Sequence, residues 1–91
     1  MAATFQFDKD PDSRLDYIVD WSDWLDSDTI TASTWTPATG ITVTTSSNTT
    51  TTTTVWLSGG TLGATYKVVN HITTAAGRQD DRTLVIRMVA K

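Results

Sequence analysis

The sequence predicts an all-β chain folded as an antiparallel sandwich, and three observations carry that expectation. Twenty of the 91 residues are Thr, and all ten acids are Asp. Thr suits a pleated surface and Asp suits turns, while the usual helix formers Glu, Leu and Lys are absent or scarce. Period-two alternation is the second observation. After Gly63, the residues Tyr66, Val68 and Ile72 share one side of an extended stretch, and Lys67, His71 and Thr73 share the other. The return stretch Arg82 to Val89 repeats it, with Leu84, Ile86 and Met88 facing opposite to Thr83, Val85, Arg87 and Val89. Third, Tyr66 follows a glycine turn and precedes an inward residue by two positions. That is the form of the tyrosine corner, in which the ring packs and the hydroxyl ties down the preceding loop. The expected fold is therefore an immunoglobulin-like antiparallel β-sandwich of six to seven strands.

Ninety-one residues make one domain, 1–91, in which 1–12 forms an N-terminal arm or a short first strand. There is no cysteine, so the apolar faces must stabilise the fold without disulfides or thiolate-bound metal. No apolar run approaches the roughly 20 residues of a membrane helix. The start Met1-Ala2-Ala3-Thr4-Phe5 lacks the form of a signal peptide, so a soluble chain made in the cytoplasm is expected. The net charge is −3, unevenly spread. Residues 8–28 hold eight Asp against Lys9 and Arg14, and residues 29–91 hold Asp80 and Asp81 against five bases. No basic stripe suits phosphates, which argues against nucleic-acid binding.

Taken in order, Phe5 and Phe7 alternate with Thr4 and Gln6, and Asp8-Lys9-Asp10-Pro11-Asp12-Ser13 breaks that first segment. Arg14 to Trp21 follows as a clear strand, with Leu15, Tyr17, Val19 and Trp21 inward and Asp16 and Asp20 outward. Ile18 falls on the outer side between two Asp, so a neighbour is expected to cover it. Ser22 to Asp28 holds one helical turn begun by a Ser or Asp cap, and Trp24 and Leu25 close the end of the sandwich. In Thr29 to Thr36, Trp35 is out of phase with Ile30, and a bulge is expected to restore it to the core. Pro37-Ala38-Thr39-Gly40 is a turn. Ile41, Val43 and Thr45 share one face of a fourth strand that weakens into Ser46-Ser47-Asn48. Thr50 to Ser58 is a fifth strand with Val55 and Leu57 inside and Trp56 outside, because β-branched Thr suits a strand and not a linker. Asn48-Thr49-Thr50 matches a glycosylation sequon, without meaning in the absence of a secretion signal. Ser58 to Gly63 connects strands and lacks the Lys of a phosphate loop. Thr74 to Asp81 reads as a long flexible hairpin loop.

Chemistry is sparse. Asp8, Asp10 and Asp12 resemble the opening of a calcium loop, but Ser13 stands where the glycine belongs and Val19 where the bidentate Glu belongs. A solvated turn is the preferred reading, with no metal or other cofactor. His71 is the only histidine, and neighbours such as Lys67 or Thr73 are expected to satisfy it on a wet face. The Asp pairs sit in open loops with nothing to separate their pKa values, and the chain offers little room for a deep pocket. No catalysis is expected. Two features suggest partners: the acidic front against the basic back, and an outward Trp56 on a Thr-decorated strand. Candidate interface residues are Trp56, Trp24, Asp23, Asp26, Arg78 and Arg82. Complementary charge would let copies meet head to tail as a homo-oligomer. Exposed Trp among Asp is also how carbohydrate-binding modules hold sugars, a reading that would use Trp24 and Trp56.

A series of short stretches runs through nearly the whole chain: Phe7-Asp8-Lys9-Asp10-Pro11-Asp12, Leu15-Asp16-Tyr17, Asp20-Trp21-Ser22, Trp24-Leu25, Asp28-Thr29-Ile30, Thr34-Trp35-Thr36, Val55-Trp56-Leu57-Ser58-Gly59-Gly60, Thr73-Thr74-Ala75-Ala76-Gly77-Arg78 and Asp80-Asp81-Arg82. In these stretches, in this order, the chain resembles a family of small proteins of tailed bacteriophages, described as fiber-tail adaptor or Ig-like virion proteins. The resemblance implies a virion structural protein, assembled in the host bacterial cytoplasm, that bridges tail and fiber components through contacts with other virion proteins. It carries over no catalytic residue. A capsid decoration or head-associated protein is the alternative, and a carbohydrate-binding module the second.

Overall fold

The computed structural model describes residues 3–90. Seven strands and one helical turn follow in order: β1 (Ala3–Lys9), β2 (Leu15–Asp20), α1 (Ser22–Leu25), β3 (Ile30–Pro37), β4 (Ile41–Asn48), β5 (Thr52–Gly59), β6 (Thr65–Thr74) and β7 (Gln79–Met88). One sheet runs β1-β7-β6-β3 and the other β2-β5-β4. The fold is an all-β sandwich. Every pairing is antiparallel except β1 with β7, which is parallel.

The interior lies where the alternation puts it. Val19 and Trp21, Val55 and Leu57, Val68 and Ile72, and Leu84, Ile86 and Met88 are buried between the sheets. Each aliphatic side chain so buried stabilises the fold by about 1.5–3 kcal/mol. Leu25 from α1 closes one end, 1% exposed, as expected. A register shift between Ile30 and Ala32 turns Trp35 toward the core, against which it packs half-buried. The expected bulge is therefore present.

A polar link crosses this interior. The indole Nε1 of Trp21 donates to Thr53 Oγ1 and Asn70 Oδ1, both at 3.2 Å, and the Thr53 hydroxyl donates to Asn70 Oδ1 at 2.6 Å. Asn70 Nδ2 donates in turn to Ser33 Oγ and the Thr34 carbonyl, each at 3.0 Å. One asparagine thus connects β2, β5, β6 and β3 and satisfies groups that would be costly to bury alone.

The tyrosine at the start of β6 does what its position predicts: its hydroxyl accepts a hydrogen bond from the Thr61 backbone N–H at 2.9 Å. Its ring lies against Gly40, where a Cβ would sit 2.8 Å from Tyr66 Cε1 and where φ is +106°. Only glycine fits both the conformation and the space.

Three expectations need correction. Residues 74–81 are not a long flexible loop: β6 runs through Thr74, β7 begins at Gln79, and the turn is closed by Thr74 N–H to the Arg78 carbonyl at 2.9 Å. Asp80 and Asp81 pair across the ladder with Ile72 and His71, so they belong to a strand, and as neighbours they take opposite faces of it, Asp81 on the side of His71. Thr45 does not share a face with Ile41 and Val43, because a second bulge between Val43 and Thr45 leaves Thr45 exposed. Asp8 and Lys9 do not break the first strand but end it. Lys9 is fully buried, and its ammonium donates to the carbonyls of Asp10 and Gly59 at 3.0 Å each, which pins the end of β1 to the end of β5.

Candidate protein-interaction surface

At the end of β2 the Asp20 carboxylate accepts the Ser22 N–H at 2.9 Å, bending the chain into α1 and holding its own pKa below the usual carboxylate range. The cap position itself is Trp21, which makes no side-chain cap bond, so the expected Ser or Asp cap is replaced by the Asp20 carboxylate one residue earlier. The helix stops after one turn at Asp26, whose φ of +58° is a left-handed conformation uncommon outside glycine and asparagine.

Arg78, from the β6–β7 turn, then holds this end together. Its guanidinium lies 4.3 Å from the Trp24 ring centre, donates through Nη2 to the Leu25 carbonyl at 2.9 Å and through Nη1 to the Trp24 carbonyl at 3.4 Å. Its Nε donates to Asp28 Oδ2 at 3.1 Å. Asp28 Oδ1 accepts the N–H groups of Thr29 and Ala76 at 2.8 and 3.1 Å. The Thr74 hydroxyl first, and then these donors, lower the Asp28 pKa to about 2. Between the two loops lies an open cleft of about 370 Å³ lined by Leu25, Asp26, Ser27, Asp28, Ala76 and Arg78.

The structure brings Trp24, Asp26 and Arg78 to this one end, with Asp23 exposed on the same helical turn. Arg82 stands beside it, donating to the Asp20 carbonyl at 2.8 Å and covering the Trp21 ring at 4.1 Å. Trp56 lies apart, on the outer face of β5 opposite Asp16 and Thr45, with the Arg14 guanidinium 4.8 Å from its ring. A guanidinium already occupies one face of both Trp24 and Trp56. His71 meets Asp81 at 2.6 Å and Gln79 at 3.2 Å, across the ladder, in place of the Lys67 and Thr73 expected from its own strand. Asp8 pairs with Arg87 at 3.2 Å, and Asp10 accepts the Asp12 N–H at 2.9 Å in a local turn. Two of the three alternate acids are therefore engaged in different directions.

The podophage GP4 fiber-tail adaptor protein gp77 family matches residues 9–87. The chain belongs to this family. No curated protein matches it. Membership of the fiber-tail adaptor family makes it a bacteriophage virion protein with a structural role, and directs attention to surfaces where other virion proteins would sit.

For a fiber-tail adaptor family member, the sequence reasoning missed one such surface. The side of the sandwich between β1 and β2 is open: Phe5 is 37% and Ile18 60% exposed, and no described residue covers Ile18 as expected. A cavity of about 250 Å³ lies there, lined by Phe5, Phe7, Ile18, Val19 and Asp20. The signal was an isoleucine on an otherwise acidic outer row, which finds no cover among the described residues.

Proposed function

We propose that this chain is a small Ig-like adaptor module that joins tail and fiber components of a podophage particle through protein contacts, with no catalytic step. The match to the fiber-tail adaptor family over residues 9–87 carries the reading. The geometry supports it. Acidic and basic side chains that a reaction might use are committed to holding the fold: Arg78 to Trp24, Leu25 and Asp28, Arg82 to Asp20 and Trp21, and His71 to Asp81. What remains on the outside is relief, charge and apolar area, the material of recognition. The Ig-like description is supported by the Tyr66 hydroxyl on Thr61 and by two sheets, of four and three strands, between which the chain crosses repeatedly. In this reading the end built from Trp24, Asp23, Asp26 and Arg78 is a contact surface, and several copies assemble around the tail.

Quantifying the chain against the major capsid protein in purified particles, before and after separating heads from tails, tests the proposal. An adaptor stays with tails at a copy number on the order of a dozen, as a closed ring requires. Hundreds of copies retained on heads would make it a decoration protein and overturn the reading.

A further inference from the structure

We infer that the free edge of β2 is a docking strip for an extended segment of a partner protein, one that carries basic residues on either side of an apolar centre. The inference rests on the adaptor reading for its biological setting and on the geometry below for its chemistry. In the four-stranded sheet of an immunoglobulin-type sandwich, the first strand pairs with the second. Here β1 joins β7 in the opposite sheet, and β2 ends the order β2-β5-β4 with one side unpaired among the described residues. Trp21 N–H bonds to the carbonyl of Thr51, just before β5 and in register with it, so by alternation the backbone groups of Tyr17 and Val19 face β5 and those of Asp16, Ile18 and Asp20 face the open edge. Arg82 takes the Asp20 carbonyl and marks where the strip stops.

An unpaired edge is usually blunted by charged side chains, proline or a bulge. This one carries two acids, Asp16 and Asp20, which repel a like-charged strand but not a basic one, on either side of Ile18 and above the cavity lined by Phe5 and Phe7. A strand added here would set alternate side chains against that cavity and the others opposite Asp16, Ile18 and Asp20. The row it meets is acidic, apolar, acidic. A second copy of β2 does not complement it, because antiparallel pairing centred on Ile18 sets Asp16 opposite Asp20 on both flanks, and like charges directly opposed are destabilising. The complementary strand is basic at both flanks and apolar at its centre and inward positions.

The test is a titration of the isotopically labelled full chain with the peptide Lys-Val-Ile-Val-Lys, flanked by Thr, read from backbone amide shifts. Saturable shifts confined to residues 5–7 and 15–20 are expected, with binding at least about tenfold weaker for the Glu-Val-Ile-Val-Glu counterpart. Asp16→Lys should reverse that preference. Ile18→Pro removes an outward N–H and leaves the β5 pairing in place, as proline is tolerated on an edge, so it should abolish binding in a chain whose remaining spectrum is unchanged. No shifts at millimolar peptide, equal response to both peptides, or a β2–β2 cross-linked dimer of the chain alone would overturn the inference. In particles, incorporation of Ile18→Pro at the wild-type level would overturn it and leave the adaptor reading standing. Absence of the wild-type chain from tails would overturn the adaptor reading, while the peptide titration still decides the edge.

Discussion

Asn70 joins the two sheets through one side chain, bonding Thr53 of β5 and Ser33 and Thr34 of β3. Replacing it with Leu keeps the volume, leaves the Trp21 indole N–H only Thr53 as acceptor, and strips the Thr53 hydroxyl of its acceptor and Ser33 Oγ and the Thr34 carbonyl of their donor, a cost of about 2–3 kcal/mol that a shift of the urea midpoint at constant slope would report. Tyr17 predicts the opposite. Its hydroxyl is buried without a hydrogen-bond partner among the described residues, so Tyr17→Phe should leave stability unchanged or raise it by up to about 1 kcal/mol in the same assay. Asp28 makes stability depend on pH. Its folded pKa of about 2 lies below the ordinary value of 3.8, so its contribution is complete above that ordinary value and fades as the pH falls toward 2. The melting temperatures of wild type and Asp28→Asn should therefore differ at pH 6 and converge near pH 2. A constant gap would show that the carboxylate charge is irrelevant. Neither Asn70 nor Lys9 was legible in the sequence: an inward polar residue on an alternating strand looks like any other, and its partners come from strands distant in the chain.

At the scale of elements, alternation made most strands legible, and the errors share one cause. Polar residues were read as loop when they begin a strand, as with Asp80 and Asp81, or end one, as with Lys9. Bulges divide differently. The one in β3 was legible because Trp35 is large and out of phase, whereas the one in β4 lies among Thr and Ser, where a change of face alters no hydrophobic pattern. The turn before β4 depends on Gly40 clearing the Tyr66 ring. Gly40→Ala should cost about 1–3 kcal/mol from backbone strain and the 2.8 Å contact together, measured by thermal or urea unfolding. Arg78 ties α1 to the β6–β7 turn. Arg78→Ala should speed amide exchange in residues 22–28 and 74–78 while leaving β5 and β7 protected, because those bonds belong to one end of the sandwich.

Across the whole molecule, the acidic segment 8–28 supplies β2, α1 and the open edge, and the bases Arg78, Arg82 and Arg87 are drawn into contacts with it. Charge thus serves the fold first, and the outward row of Asp16 and Asp20 and the exposed Asp12, Asp23 and Asp26 are among the acids left at the surface for other molecules. Any association of copies through this polarity should weaken as salt shortens the screening length, which sedimentation at low and high ionic strength would register. The central claim is that a small sandwich works by contact at the junction of tail and fiber. Reconstruction of the tail in intact particles tests it most directly. The account predicts a two-sheet module wedged between tail and fiber with its β2 edge covered; the same module spread over the capsid shell, or missing from the tail, would contradict it.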